Sequence, residues 1–501
     1  MGREVSSAVW DYSRPQEYRE KVQLNLDVFD QMLAAGRFAA ETPMTGVEME
    51  LDIIGPDGLP RYENAEIIER LGDPDVVPEL AKFNLEVNAD PRLLRGDALV
   101  QLHEDLAGAL TRVNEVSGQF GSTVIPIGIL PTLEPEHLEG DWMTTATRFK
   151  ALNDAIMRAR GEDVVLDISG PSGEWLRLGW PSIAPEAACT SFQLHLQVTP
   201  IDFARVWNAA QALAGVQVAL GANSPFFFGK ALWHESRIPV FTQAVDTRPA
   251  ELVNQGVRPR VNFGDNWITS IYDLFEDNVR HFPSLLPEVS DENPLEVFER
   301  YEAPELPELT LHNGTIYRWN RPIYDNAGGH PHLRVENRVL PAGPTVADMV
   351  ANAAFFFGTV HFFATESRPI WTKMSFAAAE NNFIRGAKEG YDANLFWPGT
   401  GRICADDLVI RYLLDIADAG LQSLGASEGA RSTYLGIIEE RALARASGAA
   451  WQLDTVRAFE DRGMTRTEAL AAMTLLYTKN SAGGKPVHTW SVPAADKDRR
   501  A

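Results

Sequence analysis

Four stretches of the chain alternate apolar and polar residues with a period of two. That spacing puts residues i and i+2 on one face of a β-strand. In VEMEL, Glu48 and Glu50 share a face, with Val47, Met49 and Leu51 opposite. In FNLEVN, Asn84, Glu86 and Asn88 share a face, with Leu85 and Val87 opposite. In FQLHLQV, Gln193, His195 and Gln197 lie opposite Phe192, Leu194 and Leu196. In LRVENRV, Arg334, Glu336 and Arg338 lie opposite Leu333, Val335 and Val339. Asp-Pro at 90–91 stops the second of these strands in this reading, and STVIPIGILPT adds a strand segment broken by prolines.

Between the strands the apolar spacing turns helical. Val22, Leu24, Leu26, Phe29 and Leu33 predict a helix behind a polar leader, and 97–120, 141–160 and 201–220 predict three more. Residues 282–310, rich in Pro and Glu, read as an insertion or connecting arm. From about 374 strand signals stop. Leu408, Val409, Tyr412, Leu413 and Ile416 form a stripe closed by Gly425, and Thr465 with Glu468 forms a capping box. The expected fold is α+β: an antiparallel sheet with helices on its outer face, in a body over 1–373. A C-terminal helical segment follows over 374–501, and its last residues, AADKDRRA, fray.

The chain has 501 residues, and 45 Lys+Arg against 69 Asp+Glu leave a net charge of −24. An acidic surface repels phosphate backbones and anionic lipid, so neither nucleic acid nor membrane is expected as a partner. Two cysteines without a CxxC exclude a disulfide framework and a redox pair. The N-terminal stretch has no apolar core of a secretory signal. The longest apolar run, ANAAFFFGTVHFF, falls short of the roughly 18–20 residues of a membrane span. A soluble cytoplasmic protein is expected. GxxxxGK[ST], a strand-borne GxGxxG, HExxH and GxSxG are all missing, so P-loop, Rossmann, zinc-protease and serine-hydrolase chemistry do not fit.

One polar strand face alone is an ordinary solvent-facing side of a sheet. These four carry Glu, His, Gln, Asn and Arg but no Lys, which suits a site better than a surface. If they share one sheet, Glu48, Glu50, Glu86 and Glu336 repel one another unless cations neutralise them. Carboxylates with one imidazole, His195, suit Mg²⁺ or Mn²⁺ rather than zinc. Arg334 and Arg338 flank Glu336 and can hold anionic oxygens, so the set points to phosphoryl transfer. A glycosidase built on paired carboxylates is the competing reading, but it leaves the two arginines without a task. Cys189 reads as a small buried hydrophobe or a redox sensor, and His330 and His332 as a glycine-rich turn or extra ligands.

GVEMEL, FNLEVN, FQLHLQV, GANSPFFFGK and LRVENR, in this order, resemble the type 2 glutamate–cysteine ligases and related carboxylate–amine ligases of the glutamine synthetase superfamily. AAAENNFIRGAKEGYDA, at 377–393, resembles that family's C-terminal helical motif, and the likeness spans about 44–400. It implies a glutamine-synthetase-like sheet and an ATP-dependent ligase that joins glutamate to an amine through an acyl phosphate. Cysteine is the favoured amine. A different acceptor, a degenerate regulatory ATP- and metal-binding member, or a related guanidino kinase are the other readings.

The resemblance makes Glu48, Glu50, Glu86, His195 and Glu336 metal ligands. It puts Gln197 near the nucleotide and Arg338, with Arg334, at the transferred phosphate. Asn223 falls in the loop lining the substrate pocket, and Arg148 is placed to bind substrate carboxylate. Residues 231–248 are where acceptor choice should vary. Partners are then small molecules, namely glutamate, ATP and an amine, and a homo-oligomer is compatible with all of this.

Overall fold

The four alternating stretches are neighbours in one antiparallel sheet. The structure is a computed structural model, and it describes residues 15–39 and 44–493. The strands are β1 (Met44–Ile54), β2 (Val76–Pro78), β3 (Asn84–Leu93), β4 (Thr123–Ile125), β5 (Phe192–Val198), β6 (Asn320–Asp325) and β7 (His332–Asn337). Their order is β6-β7-β5-β1-β3-β2, with β4 on β1. Register puts Glu336 opposite His195, Glu48 opposite both Gln193 and Asn88, and Glu50 opposite Glu86. The period-two reading therefore aligns all four polar faces on one side. The other side carries Met49, Leu51, Leu85, Leu194 and Val335, all buried in the core.

Helices surround the sheet. The main ones are α1 (Pro15–Ala35), α2 (Ala98–Ser117), α3 (Thr147–Arg160), α4 (Phe203–Gly221), α5 (Arg237–Ala244), α6 (Val346–Thr365) and α7 (Phe376–Glu389). After them come α8 (Leu414–Leu424), α9 (Glu428–Ala444), α10 (Gly448–Glu460) and α11 (Arg466–Ala482). The capping box at Thr465 and Glu468 opens α11, and Gly425 caps α8 with φ 86°. α6 is long and apolar enough to cross a membrane, beyond what the apolar run alone suggested, but 89% of its most apolar window is buried. It is the central core helix: α2, α4, α8 and α9 pack around it.

Several expectations change. β3 does not stop at Asp90-Pro91 but runs to Leu93, because Asp90 and Pro91 together sit opposite Gly46 as a bulge. Pro91 needs no donor there, since β2 pairs only with residues 85–87. Strand structure also continues beyond 374, where Asn394–Trp397 and Gly401–Cys404 form a hairpin. The helices on either side of 374 share one layer, with α7 against α4 and α8 against α6. The Pro/Glu-rich arm is folded onto α1. Buried Glu308 fastens it, accepting from Asn25 at 3.1 Å and from the Ser290 backbone at 2.8 Å. The polar leader before Pro15 and the AADKDRRA tail lie outside the described residues.

Two helix crossings depend on glycine at the contact. A Cβ on Gly420 would lie 1.9 Å from the Gly358 carbonyl oxygen, where α8 meets α6. A Cβ on Gly386 would lie 2.2 Å from the Gly215 carbonyl, where α7 meets α4. Gly420→Ala is therefore expected to cost about 1–3 kcal/mol in urea unfolding. Gly436→Ala, in open space on α9, should instead gain about 0.5–1 kcal/mol from helix propensity alone. Equal effects of the two substitutions would contradict the close crossing.

Candidate active site

The polar face of the sheet is not solvent-facing. Glu48, Glu50, Glu86, His195 and Glu336 are all buried, and the face borders a cavity of about 580 Å³. Carboxylates are scarce in interiors because ionised groups lose hydration there. Four carboxylates and an imidazole on one face therefore need a physical account, and together with Glu79 they divide into two sets with opposite electrostatics.

The first set is Glu48, His195 and Glu336, whose ligand atoms lie within 4.8 Å of one another. Cations are built into it. Arg321, directly opposite Glu336 in register, donates to it through Nε at 2.5 Å and Nη2 at 3.0 Å. Arg338 donates to the same carboxylate at 2.9 and 3.3 Å. Burial alone would raise Glu336, but these two guanidinium groups hold it well below the usual carboxylate range. Burial would likewise raise Glu48, yet His195, with Nε2 at 3.1 Å, brings it down to about 2. Arg334 reaches His195 Nδ1 at 3.3 Å and Asp325 at 2.8 Å, which orients the imidazole.

The second set is Glu50, Glu79 and Glu86, again with ligand atoms within 4.8 Å. No basic side chain is bonded to it among the described residues. Glu50 is held by the Ser191 backbone N–H at 2.6 Å, the Ser191 hydroxyl at 2.8 Å and the Gln193 amide at 2.8 Å. Even so, burial, reinforced by Glu79, pushes it up to about 7. Burial, with Glu48, Glu79 and Glu50, pushes Glu86 well above its ordinary value. Three oxygen donors in a mutually repelling group fit a hard divalent cation such as Mg²⁺ or Mn²⁺. The first set, two carboxylates and an imidazole, fits a second ion of the same kind.

Three positions implied by the resemblance lie outside the cavity lining: His195, which is bonded to the lining residue Glu48, and Asn223 and Gln197. Asn223 is fully buried away from that lining, with its amide donating to the Ala342 carbonyl at 2.7 Å and the Tyr477 hydroxyl at 2.8 Å. Its carbonyl accepts from Gln452 at 2.8 Å, so it ties the GANS loop to α10 and α11. Gln197 lies opposite Arg334 in the sheet, at the margin of the polar face and outside the cavity lining. Arg148, on α3, does line the cavity. His330 is exposed, and His332 touches Arg334 at 3.1 Å outside both carboxylate sets. Burial pushes the Cys189 thiol well up, which keeps it protonated and unreactive.

The alternation missed Glu79, Arg321, Glu186 and Arg237, all on the cavity wall. Glu79 follows a strand of three residues, too short to show a period, although Val77 pairs with Glu86 and Glu79 continues its side. Arg321 alternates with Pro322, and the proline argued against a strand. β6 is an edge strand, so the missing N–H costs no ladder bond.

The family model for glutamate-cysteine ligase family 2 matches residues 44–473. No curated protein matches the chain in sequence. Among solved structures, the glutamate–cysteine ligase of Francisella tularensis, in complex with AMP, is similar with a TM-score of 0.51 at 12% identity. The match covers 92% of this chain and 91% of that one. A bifunctional glutathione synthetase from Pasteurella multocida matches at 12% identity and TM-score 0.49, over 91% of this chain and 55% of its own. At such identity the first likeness is one of fold.

The second carboxylate set gives the metal-free protein a characteristic pH dependence. Glu50 is raised in the folded chain, so between about pH 4.5 and about 7 the folded state holds a proton that the unfolded state has released. Stability from this group is full at low pH and is lost as pH rises through that window. The lowered Glu48 and Glu336 act with the opposite sign, at pH below about 4.5. With chelator present, the melting temperature should fall between pH 5 and 7.5, and Mn²⁺ should restore it most at the upper end. A metal-free melting temperature that rises over that range would sink the account.

Proposed function

Because the chain belongs to glutamate-cysteine ligase family 2 and is thereby an ATP-dependent ligase, we propose that its sheet-face cavity joins the γ-carboxylate of glutamate to an amine. The carrying observation is the juxtaposition of two ligand triads, one balanced by arginines and one not, on a single buried face. When bound, Mg²⁺ or Mn²⁺ would neutralise the carboxylates and supply Lewis-acid contacts to phosphate oxygens. Glu50, Glu79 and Glu86 would hold one ion, and Glu48, His195 and Glu336 the other.

The chemistry proceeds in two displacements. A glutamate γ-carboxylate oxygen forms a bond to the γ-phosphorus of ATP while the bond to the bridging oxygen breaks. ADP leaves and a γ-glutamyl phosphate remains. The neutral amine nitrogen then bonds to the acyl carbon, the carbon–oxygen bond to phosphate breaks, and the proton that the nitrogen gives up goes to the departing phosphate. Negative charge gathers on the transferred phosphoryl oxygens in the first step. Arg338 and Arg334 are the guanidinium groups on the same face that can meet it. Arg321, bonded to Glu336 at 2.5 and 3.0 Å against 2.9 and 3.3 Å for Arg338, is the tighter partner and keeps that carboxylate ionised and fixed. Arg148, which lines the cavity, would receive a substrate carboxylate.

No side-chain nucleophile is needed, which agrees with a protonated Cys189. Water must be kept from the acyl phosphate, and the folded arm, through Leu286, Thr310 and Leu311, supplies part of the wall that does so. Cysteine is the first acceptor to test.

The test is Mg²⁺-dependent ADP release with glutamate, in the presence and absence of cysteine and other amines. Release that needs both glutamate and an amine supports the ligase reading, and the amine names the enzyme. Binding of Mg·ATP without release under any pair would favour a regulatory member that has lost turnover. Arg338→Ala is expected to lower kcat about 10²–10³-fold, the scale for losing one donor to developing charge. Turnover within two-fold of the parent would remove Arg338 from this role.

A further inference from the structure

One part of the cavity wall has no task in the ligase chemistry above. Its polar group is Glu186, on the short helix Ala184–Ala188 that packs against α5. No hydrogen-bond donor among the described residues reaches its Oε2 atom. Burial, then Glu79 and Glu50, pushes this carboxyl up to about 8, against a smaller pull from Arg338. Arg237, on the same wall, does not compensate it. That guanidinium is taken by Glu235 at 3.0 Å and by the Val339 carbonyl at 2.7 Å.

Around Glu186 the wall is aromatic. Phe241, from α5, meets Tyr317 edge-on with ring centroids 5.3 Å apart, and meets Trp319 at 5.8 Å. Glu186 raises the Tyr317 hydroxyl further than burial alone does, so the carboxyl and this ring are electrostatic neighbours. All three rings line the cavity. A half-buried carboxyl with one oxygen that no donor among the described residues reaches, beside aromatic rings, is complementary to a cation with an apolar body. The ammonium supplies hydrogen bonds and charge, and the rings supply cation–π and dispersion contact.

Resting on the ligase reading, we propose that this part of the cavity receives the acceptor as a protonated primary amine carrying an apolar or aromatic body, and that the ammonium passes one proton to the Glu186 carboxylate, which frees the nitrogen lone pair to attack the acyl carbon. Glu186 is its ammonium-binding residue, and Phe241 with Tyr317 selects the body. Cysteine, with one side-chain carbon and a thiol, would leave the rings without contact. Phe241 lies within 231–248, the segment where acceptor choice was expected to vary.

The test uses the full chain with Mg·ATP, glutamate and four amines: 2-phenylethylamine, isopentylamine, ethanolamine and cysteine. The KM for the first two is expected to be at least about ten-fold below that for ethanolamine, the scale of a few buried methylenes. Glu186→Gln should raise the KM for those amines about ten-fold or more and leave the KM for glutamate and ATP within two-fold. Phe241→Leu should weaken 2-phenylethylamine more than ethanolamine, with the same melting temperature as the parent. Ethanolamine or cysteine used as well as the apolar amines, or an amine KM unmoved by Glu186→Gln, overturns the proposal while the ligase reading stands. Calorimetric titration of 2-phenylethylamine without ATP separates the remaining cases. Binding that Glu186→Gln abolishes, with no ADP release from any amine, keeps the amine site and overturns the ligase reading. Neither binding nor release overturns both.

Discussion

Burying carboxylates on one face of a sheet is the constraint on which the rest of this molecule turns. Each ionised carboxylate that leaves water must be met by a cation or accept a proton. The fold uses both solutions a few ångströms apart. Glu336 lies between Arg321 and Arg338 and stays ionised, whereas Glu50, Glu79 and Glu86 face one another with no guanidinium of the described residues bonded to them. Substituting a neutral residue in the first set would strand buried arginines. Substituting one in the second would relieve repulsion. The two halves of the face therefore differ in what they ask of a ligand: the first already has arginine and histidine partners, and the second depends on a ligand for all of its positive charge.

Holding such a face together requires compensation elsewhere, and the back of the sheet supplies it. Met49, Leu51, Leu85, Leu194 and Val335 form a continuous apolar surface under the helices. α6, apolar nearly all round, fits this place because neighbours cover it on every side. The glycine crossings at Gly358 with Gly420 and Gly215 with Gly386 let backbones approach closely enough to exclude voids. The cost of the polar face is thus carried by dense packing in a different layer, and the active-site residues need not stabilise the fold themselves.

Much of this was legible because a strand has a period of two. Once Glu48, Glu86, His195 and Glu336 each alternate with buried residues, one shared sheet brings them together without further information. What alternation could not show was anything lying on irregular backbone. Glu79 follows a three-residue strand, Glu186 sits on a single turn, and Arg321 hides beside a proline tolerated only because its strand is an edge. Asn223 erred in the opposite direction. A polar residue in a Gly/Ser loop looks like a ligand contact, but here its amide is consumed by Ala342, Tyr477 and Gln452. Local sequence does not encode which partner an amide will meet when that partner lies more than two hundred residues away.

The same distinction bears on specificity. Five of the six triad residues come from the regular sheet, where register fixes side-chain positions tightly, and only Glu79 lies just past a strand end. The opposite wall comes from α5, a single helical turn at 184–188 and the Pro/Glu-rich arm, which are joined to the sheet by loops. Loops accept substitution and insertion with little penalty to the core. An arrangement with phosphoryl chemistry on the rigid sheet and acceptor contacts on the loop-borne wall lets one change without disturbing the other. Glu308 limits that freedom by fastening the arm to α1 through Asn25 and Ser290. The wall is consequently variable in sequence terms but fixed in position, which is what a selective pocket requires: side chains that can differ between proteins, held still within each one.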